Sequence, residues 1–179
     1  FMPHCLDMLK PIYDRLDVKI DHALGESFYN PMLPGVVESL VTSGIAVESN
    51  GALVVPNAKG IVPKPDEMDK EEPPALIRKR DGAFTYTTTD LATVQYRVQT
   101  WKPDVILYVV DARQALHFKT LFASAKRWLG ETAELLHLTF GSVLDKDGKP
   151  FAARKGGAPE LTDLLDEAAA QGLKKYEES

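Results

Sequence analysis

Cysteine is nearly missing from this 179-residue chain: Cys5 stands alone, so no internal disulfide can form and a cysteine-rich zinc site is excluded. A reducing, cytoplasmic setting is the expectation that follows. Long apolar runs are missing too, since no stretch approaches the roughly 20 residues that cross a bilayer. No excess of basic charge is present either. Lys and Arg total 21 against 26 Asp and Glu, a net charge of −5 that argues against a general electrostatic grip on nucleic acid. Neither a GxGxxG turn nor a Walker loop occurs, and the four histidines show no metal-ligand spacing, so no metal site is expected. The opening "FMPHCLDMLK" lacks the basic flank and cleavage site of a signal peptide and starts on Phe1, which predicts a piece of a longer chain.

What is present is enough length and apolar content, 44%, to bury a sizeable core. Two compositional regimes meet near residue 80. Before it lie most of the turn formers, including the proline-rich, charged "NAKGIVPKPDEMDKEEPP", which reads as a surface loop. The short β-prone runs "GALVVP" and "ALIRK" flank that loop and are expected to pair across it. Upstream, "VVESLVTSGIAVES" reads as a short helix ended by Gly44.

From Asp81 onward helix and strand alternate. Leu91, Val94, Val98 and Trp101 form one apolar stripe of a helix that Pro103 stops. "DVILYVV" follows as a continuous apolar run, the pattern of a strand buried on both faces in a parallel sheet. A second helix is expected with Ala115, Phe118, Phe122, Ala125 and Leu129 inward, then "ELLHLTF" as a strand, then a closing helix from Pro159 to about Lys174. This αβαβα order implies right-handed crossovers and a doubly wound sheet, with function in the loops after Val110 and Phe140.

Three stretches carry candidate chemistry. In "TYTTTDLA", Thr87 and Asp90 approximate a capping box, and an acid in a first helical turn suits the helix dipole; the bland reading of Asp90 is a helix start and the sharper one a ligand. Tyr86 is a buried ring or a pocket wall. In "DARQALHF", Asp111, Gln114 and His117 stand at the mouth of the sheet, with Gln114 and His117 three apart on one helix face. In "DKDGKPFAARKGG", Arg154 and Lys155 beside flexible glycines make a plausible clamp for phosphate oxygens.

The stretches "DGAFTYTTTDLA", "YVVDARQALHF", "LTFGSVL" and "KPFAARKGG", in this order and spacing, resemble the second half of the catalytic domain of arginyl-tRNA synthetase, a class I aminoacyl-tRNA synthetase. "YDRLDVKIDHALGESFY" and "NGALVVP" resemble the segment that connects the two halves. The resemblance implies an α/β chain: a partial Rossmann-like (HUP-type) parallel sheet flanked by helices, in residues 81–179, with a small α+β connective subdomain containing a β-hairpin in residues 1–80. It further implies an ATP-dependent ligase that activates arginine and transfers it to tRNA(Arg), with ATP as substrate, Mg2+ arriving with it, and no tightly bound cofactor. Carried across by motif, Asp90 would pair with the guanidinium of arginine, Tyr86 would line its pocket and Gln114 would face it. His117, Phe140 and Gly141 would lie near ATP or the adenylate. Arg154 and Lys155 would act as catalytic cations in the variant of the KMSKS loop.

Two departures stand out. Ala153 replaces a threonine common before the arginine of that loop, and no HIGH-like sequence appears, since no histidine is followed by x-Gly-His. The chain is therefore expected to be inactive alone. The alternative is a truncated, non-catalytic relative serving as a binding or scaffold module. Oligomeric state is not legible.

Overall fold

The computed structural model describes residues 2–57, 59–60, 73–141 and 160–178, with side chains from Asp7 onward. Two compact units are formed. The larger spans Leu24–Gly141. The other is built from the two ends of the chain and includes helix α1 (Met2–Arg15) and helix α6 (Leu161–Glu177), joined by an ion pair of 2.6 Å between Arg15 Nη1 and Asp166 Oδ1. No residue of α6 is buried.

The larger unit starts with helix α2 (Glu26–Tyr29), a 3-10 turn at Asn30–Met32 and helix α3 (Leu33–Thr42). Pro31 and Pro34 stand near the starts of the 3-10 turn and of α3, where a missing N–H leaves no helical hydrogen bond unmade. Gly44 takes a positive φ of 69° just after α3 and turns the chain back, as expected for a helix-ending glycine. The expected helix stops there. Beyond it, "VES" is strand β1 (Val47–Ser49), which pairs antiparallel with β2 (Ala52–Val55) around an Asn50-Gly51 turn. Both turn residues have positive φ, the left-handed pair that a tight hairpin demands. β2 pairs in turn with β3 (Ala75–Arg78), so the two runs expected to pair do so. The proline-rich loop between them lies almost entirely outside the described residues.

Helix α4 (Tyr86–Trp101) follows, ending at Lys102 in the left-handed conformation just before Pro103. Strand β4 (Val105–Asp111), a 3-10 turn at Ala112–Gln114, helix α5 (Ala115–Leu129) and strand β5 (Glu134–Phe140) then make a parallel βαβ unit. Its register runs from Val105 opposite Glu134 to Asp111 opposite Phe140, so both strands finish together.

One core runs through this unit. Leu33, Val36 and Leu40 of α3, Val55 and Ile77 of the antiparallel sheet, Leu91 and Val94 of α4, Ile106 and Tyr108 of β4, and Phe118, Leu121 and Ala125 of α5 belong to a single buried cluster. Each large aliphatic side chain so enclosed stabilises the fold by about 1.5–3 kcal/mol. Two residues expected inside are not: Trp101 and Ala115 sit at helix ends and are exposed. The parallel strands also differ from expectation. Ile106 and Tyr108 point into the core, but Leu107 and Val109 on the other face are 53% and 65% exposed. Among the described residues the apolar run is therefore covered on one face.

Candidate functional site

Two threonines fix the start of α4, and they do so by reaching the neighbouring strand. Thr85 is the N-cap in extended conformation and forms the capping box with Thr88. Its backbone N–H donates to Thr88 Oγ1 at 3.4 Å. The Thr85 hydroxyl donates to the Leu76 carbonyl of β3 at 2.5 Å, and the fully buried Thr88 hydroxyl donates to the Ile77 carbonyl. Thr93 bonds back to Thr89 one turn down. The expected box between Thr87 and Asp90 is thus displaced by two residues. Asp90 is the fifth residue of the helix, one past its first turn, and takes no part in capping.

Asp90 is engaged elsewhere. Its Oδ2 lies 2.6 Å from Nε2 of His117 on α5, with about a third of each side chain exposed, 36% and 31%. An ionised carboxylate has no proton to give, so His117 Nε2–H is the donor. Tyr86 stands one turn before Asp90 on the same face of α4, and its ring is 75% exposed, so the buried-ring reading fails. Gln114 caps α5 at its N-terminus, one turn before His117, and is exposed to solvent. Asp111, the last residue of β4, is held by its neighbour: Oδ1 accepts from Arg113 N–H at 2.8 Å, and both oxygens take the Arg113 guanidinium at 3.0 and 2.9 Å. That carboxylate raises the Arg113 pKa above its ordinary value. Phe140 lies opposite Asp111 in the sheet register, and Gly141 follows it; a Cβ there would meet nothing within 4 Å. Arg154 and Lys155 lie outside the described residues.

Gln114, Phe140 and Gly141 therefore stand at or just beyond the carboxyl ends of the two parallel strands, the end at which such sheets bind ligands, and His117 in the first turn of α5 holds Asp90 of α4. Two supporting residues had no signal in the sequence beyond a polar letter inside an apolar run. Tyr108 of β4 is buried beneath this end, with the Arg97 guanidinium over its ring at 5.2 Å. Burial pushes its phenol pKa up; the Arg97 charge opposes this, and the Asp90 charge adds to it. His137 of β5 packs its ring on Phe118 at 4.6 Å, and its Nε2–H donates to the Val110 carbonyl at 3.0 Å. A hollow of about 530 Å³ lies at the opposite end of α4 and α5, among Val98, Phe122, Leu129 and Leu135, away from these groups. Among the described residues, no three His, Cys, Asp or Glu side chains converge as a metal centre requires. No helix there is long and apolar enough to cross a membrane.

Comparison with known proteins gives this arrangement a family. The arginine–tRNA ligase of Rhodopirellula baltica is 46% identical over 171 residues, covering 96% of this chain and 24% of that protein. The arginine–tRNA ligase of Frankia casuarinae is 45% identical over 166 residues, covering 90% and 27%. The chain spans about a quarter of the length of the curated relatives it matches. Among solved structures, the arginyl-tRNA synthetase of Plasmodium falciparum superposes with a TM-score of 0.69 at 26% identity, over 96% of this chain and 28% of that one. The sequence profile described as "tRNA synthetases class I (R), catalytic domain" matches residues 4–179. With a profile match across nearly its whole length, the chain belongs to the catalytic-domain family of class I (R) tRNA synthetases.

Proposed function

We infer that this chain is part of an ATP-dependent arginine–tRNA ligase, one that condenses arginine with ATP to an adenylate and passes the arginyl group to tRNA(Arg). The observation that carries this reading is the 46% identity to an arginine–tRNA ligase over 96% of the chain. ATP enters as its Mg2+ complex, and the cytoplasm is the place of action. Residues 1–80 serve as the connective segment and 81–179 as the second half of the catalytic domain. That division is one of role, since a single core runs through both.

Within the site, Asp90 receives the guanidinium of arginine, Tyr86 walls the pocket and Gln114 adds a polar contact. A carboxylate suits this task because its two oxygens match the planar fork of guanidinium donors. The support for Asp90 is its place: a half-exposed carboxylate on a helix whose start is tied to β3, at the ligand-binding end of the sheet. His117, Phe140 and Gly141 lie near the adenylate. Arg154 and Lys155 meet charge as it develops on the departing pyrophosphate, the condition under which a cation lowers a barrier rather than only tightening binding.

The complete protein is expected to catalyse arginine-dependent pyrophosphate exchange, measured with and without tRNA, and the 179-residue chain is expected to show none. A complete protein that exchanges with another amino acid and not with arginine contradicts the reading. Arginine-dependent exchange by the chain alone contradicts the inactivity.

A further inference from the structure

Asp90 and His117 belong to different helices and meet at 2.6 Å through Oδ2 and Nε2. That contact fixes more than a distance. It commits one oxygen of the carboxylate and leaves Oδ1 without a hydrogen bond among the described residues. His117 is itself braced. Its ring stands edge-on to Phe118 at 5.3 Å, Phe118 is buried, and Phe118 rests on His137, which is bonded to the Val110 carbonyl. A chain of packed rings thus runs from the strand backbone to the carboxylate.

We propose that His117 is a positioning residue for arginine recognition: as neutral imidazole it holds Asp90 Oδ2 and presents Oδ1 to the guanidinium, and as imidazolium it competes with the substrate for the same carboxylate. The proposal rests on the reading of Asp90 as guanidinium acceptor. Its physical basis is that one carboxylate cannot satisfy two adjacent cations as well as it satisfies one, because the cations repel each other at short range. The other ionisable groups on elements packed at this end are Tyr86 on α4, with Arg97 further along it, Arg78 on β3, Tyr108 and Asp111 on β4, and His137 on β5. Asp111 carries Arg113 on both oxygens, and Arg97 lies over Tyr108. A positive charge on His117 therefore weakens arginine binding, and its removal restores it.

The test uses the complete protein and direct calorimetric titration with free arginine, without ATP, from about pH 5.5 to about pH 7.5, where imidazoles ordinarily titrate and arginine does not. Wild type is expected to bind arginine several-fold more weakly at the acidic end. His117→Ala is expected to weaken binding about 10-fold or more near pH 7.5, the scale of one lost charge-assisted hydrogen bond. His117→Gln, which keeps an N–H donor and cannot titrate, is expected to recover part of that loss and to abolish the acid weakening. Should His117→Ala fail to fold by circular dichroism, His117→Gln alone carries the test through its pH profile. A His117→Ala variant that binds as wild type does, or a His117→Gln variant with the full wild-type pH dependence, overturns the proposal. Asp90→Asn separates the two claims. If it leaves arginine affinity unchanged, the guanidinium reading fails; if it weakens binding while His117→Ala does not, only the positioning role fails.

Discussion

A carboxylate one residue past the first turn of a helix has no capping duty, and Asp90 occupies that position. Helix capping therefore does not account for the aspartate, whose carboxylate instead meets His117. Tyr108, beneath it, illustrates the opposite case of an ionisable group kept neutral by its surroundings. Burial raises its phenol pKa above the unfolded value of about 10. The folded state therefore holds its proton more tightly than the unfolded state does, and the associated stability is present below about pH 10 and lost as pH rises through the folded value. Tyr108→Phe is expected to flatten this alkaline limb. Urea unfolding of both proteins between about pH 9 and pH 11.5 checks it; parallel loss of stability in wild type and variant contradicts it.

At the scale of the element, α4 is the case that shows what a sequence carries locally. Its apolar stripe at Leu91 and Val94 is legible because burial on a helix follows the 3.6-residue repeat, and both are fully buried. Its start is not legible to the residue. "TYTTTD" offers five threonine or aspartate candidates around one helix start, and the choice of Thr85 with Thr88 is made by the carbonyls of Leu76 and Ile77 on the preceding strand. β1 escaped for a related reason: three residues are too few to show a period, and apolar letters flank the Gly44 turn on both sides. The Asp90–His117 contact, joining residues 27 apart, depends on the crossing of two helices and had no local signal. Thr88→Val, which keeps shape but removes the buried hydroxyl that donates to the Ile77 carbonyl and accepts from Thr85 N–H, is expected to destabilise the chain by about 1–3 kcal/mol. Asp90→Asn, at a half-exposed ion pair, costs about 1 kcal/mol or less. The two are compared by urea unfolding at pH 7, and the reverse order contradicts the assignment of the cap.

Across the whole molecule, the dominant feature is a parallel sheet with one covered face. Ile106, Tyr108, Leu135 and His137 turn toward the helices, while Val105, Leu107, Val109, Leu136, Leu138 and Phe140 remain exposed. A continuous apolar run predicts burial on both sides, whereas the described residues cover one. An exposed apolar band of this kind binds environment-sensitive dyes. The isolated chain is expected to enhance ANS fluorescence, and Leu107→Lys with Leu138→Lys is expected to reduce the signal while leaving the melting temperature within a few degrees, since neither side chain belongs to the core. Unchanged fluorescence in the double variant contradicts the location of the band.

The proposed role of Asp90, fixed on a helix tied to β3, is to receive the guanidinium of arginine in an arginine–tRNA ligase. The most direct measurement is arginine-dependent pyrophosphate exchange by the complete protein, with tRNA present, comparing wild type with Asp90→Asn across arginine concentration. Breaking a charged pair that substrate binding encloses costs about 3 kcal/mol or more, so the variant should fold normally and lose about 10²-fold or more in kcat/KM for arginine. A folded Asp90→Asn protein with wild-type kcat/KM for arginine would contradict it.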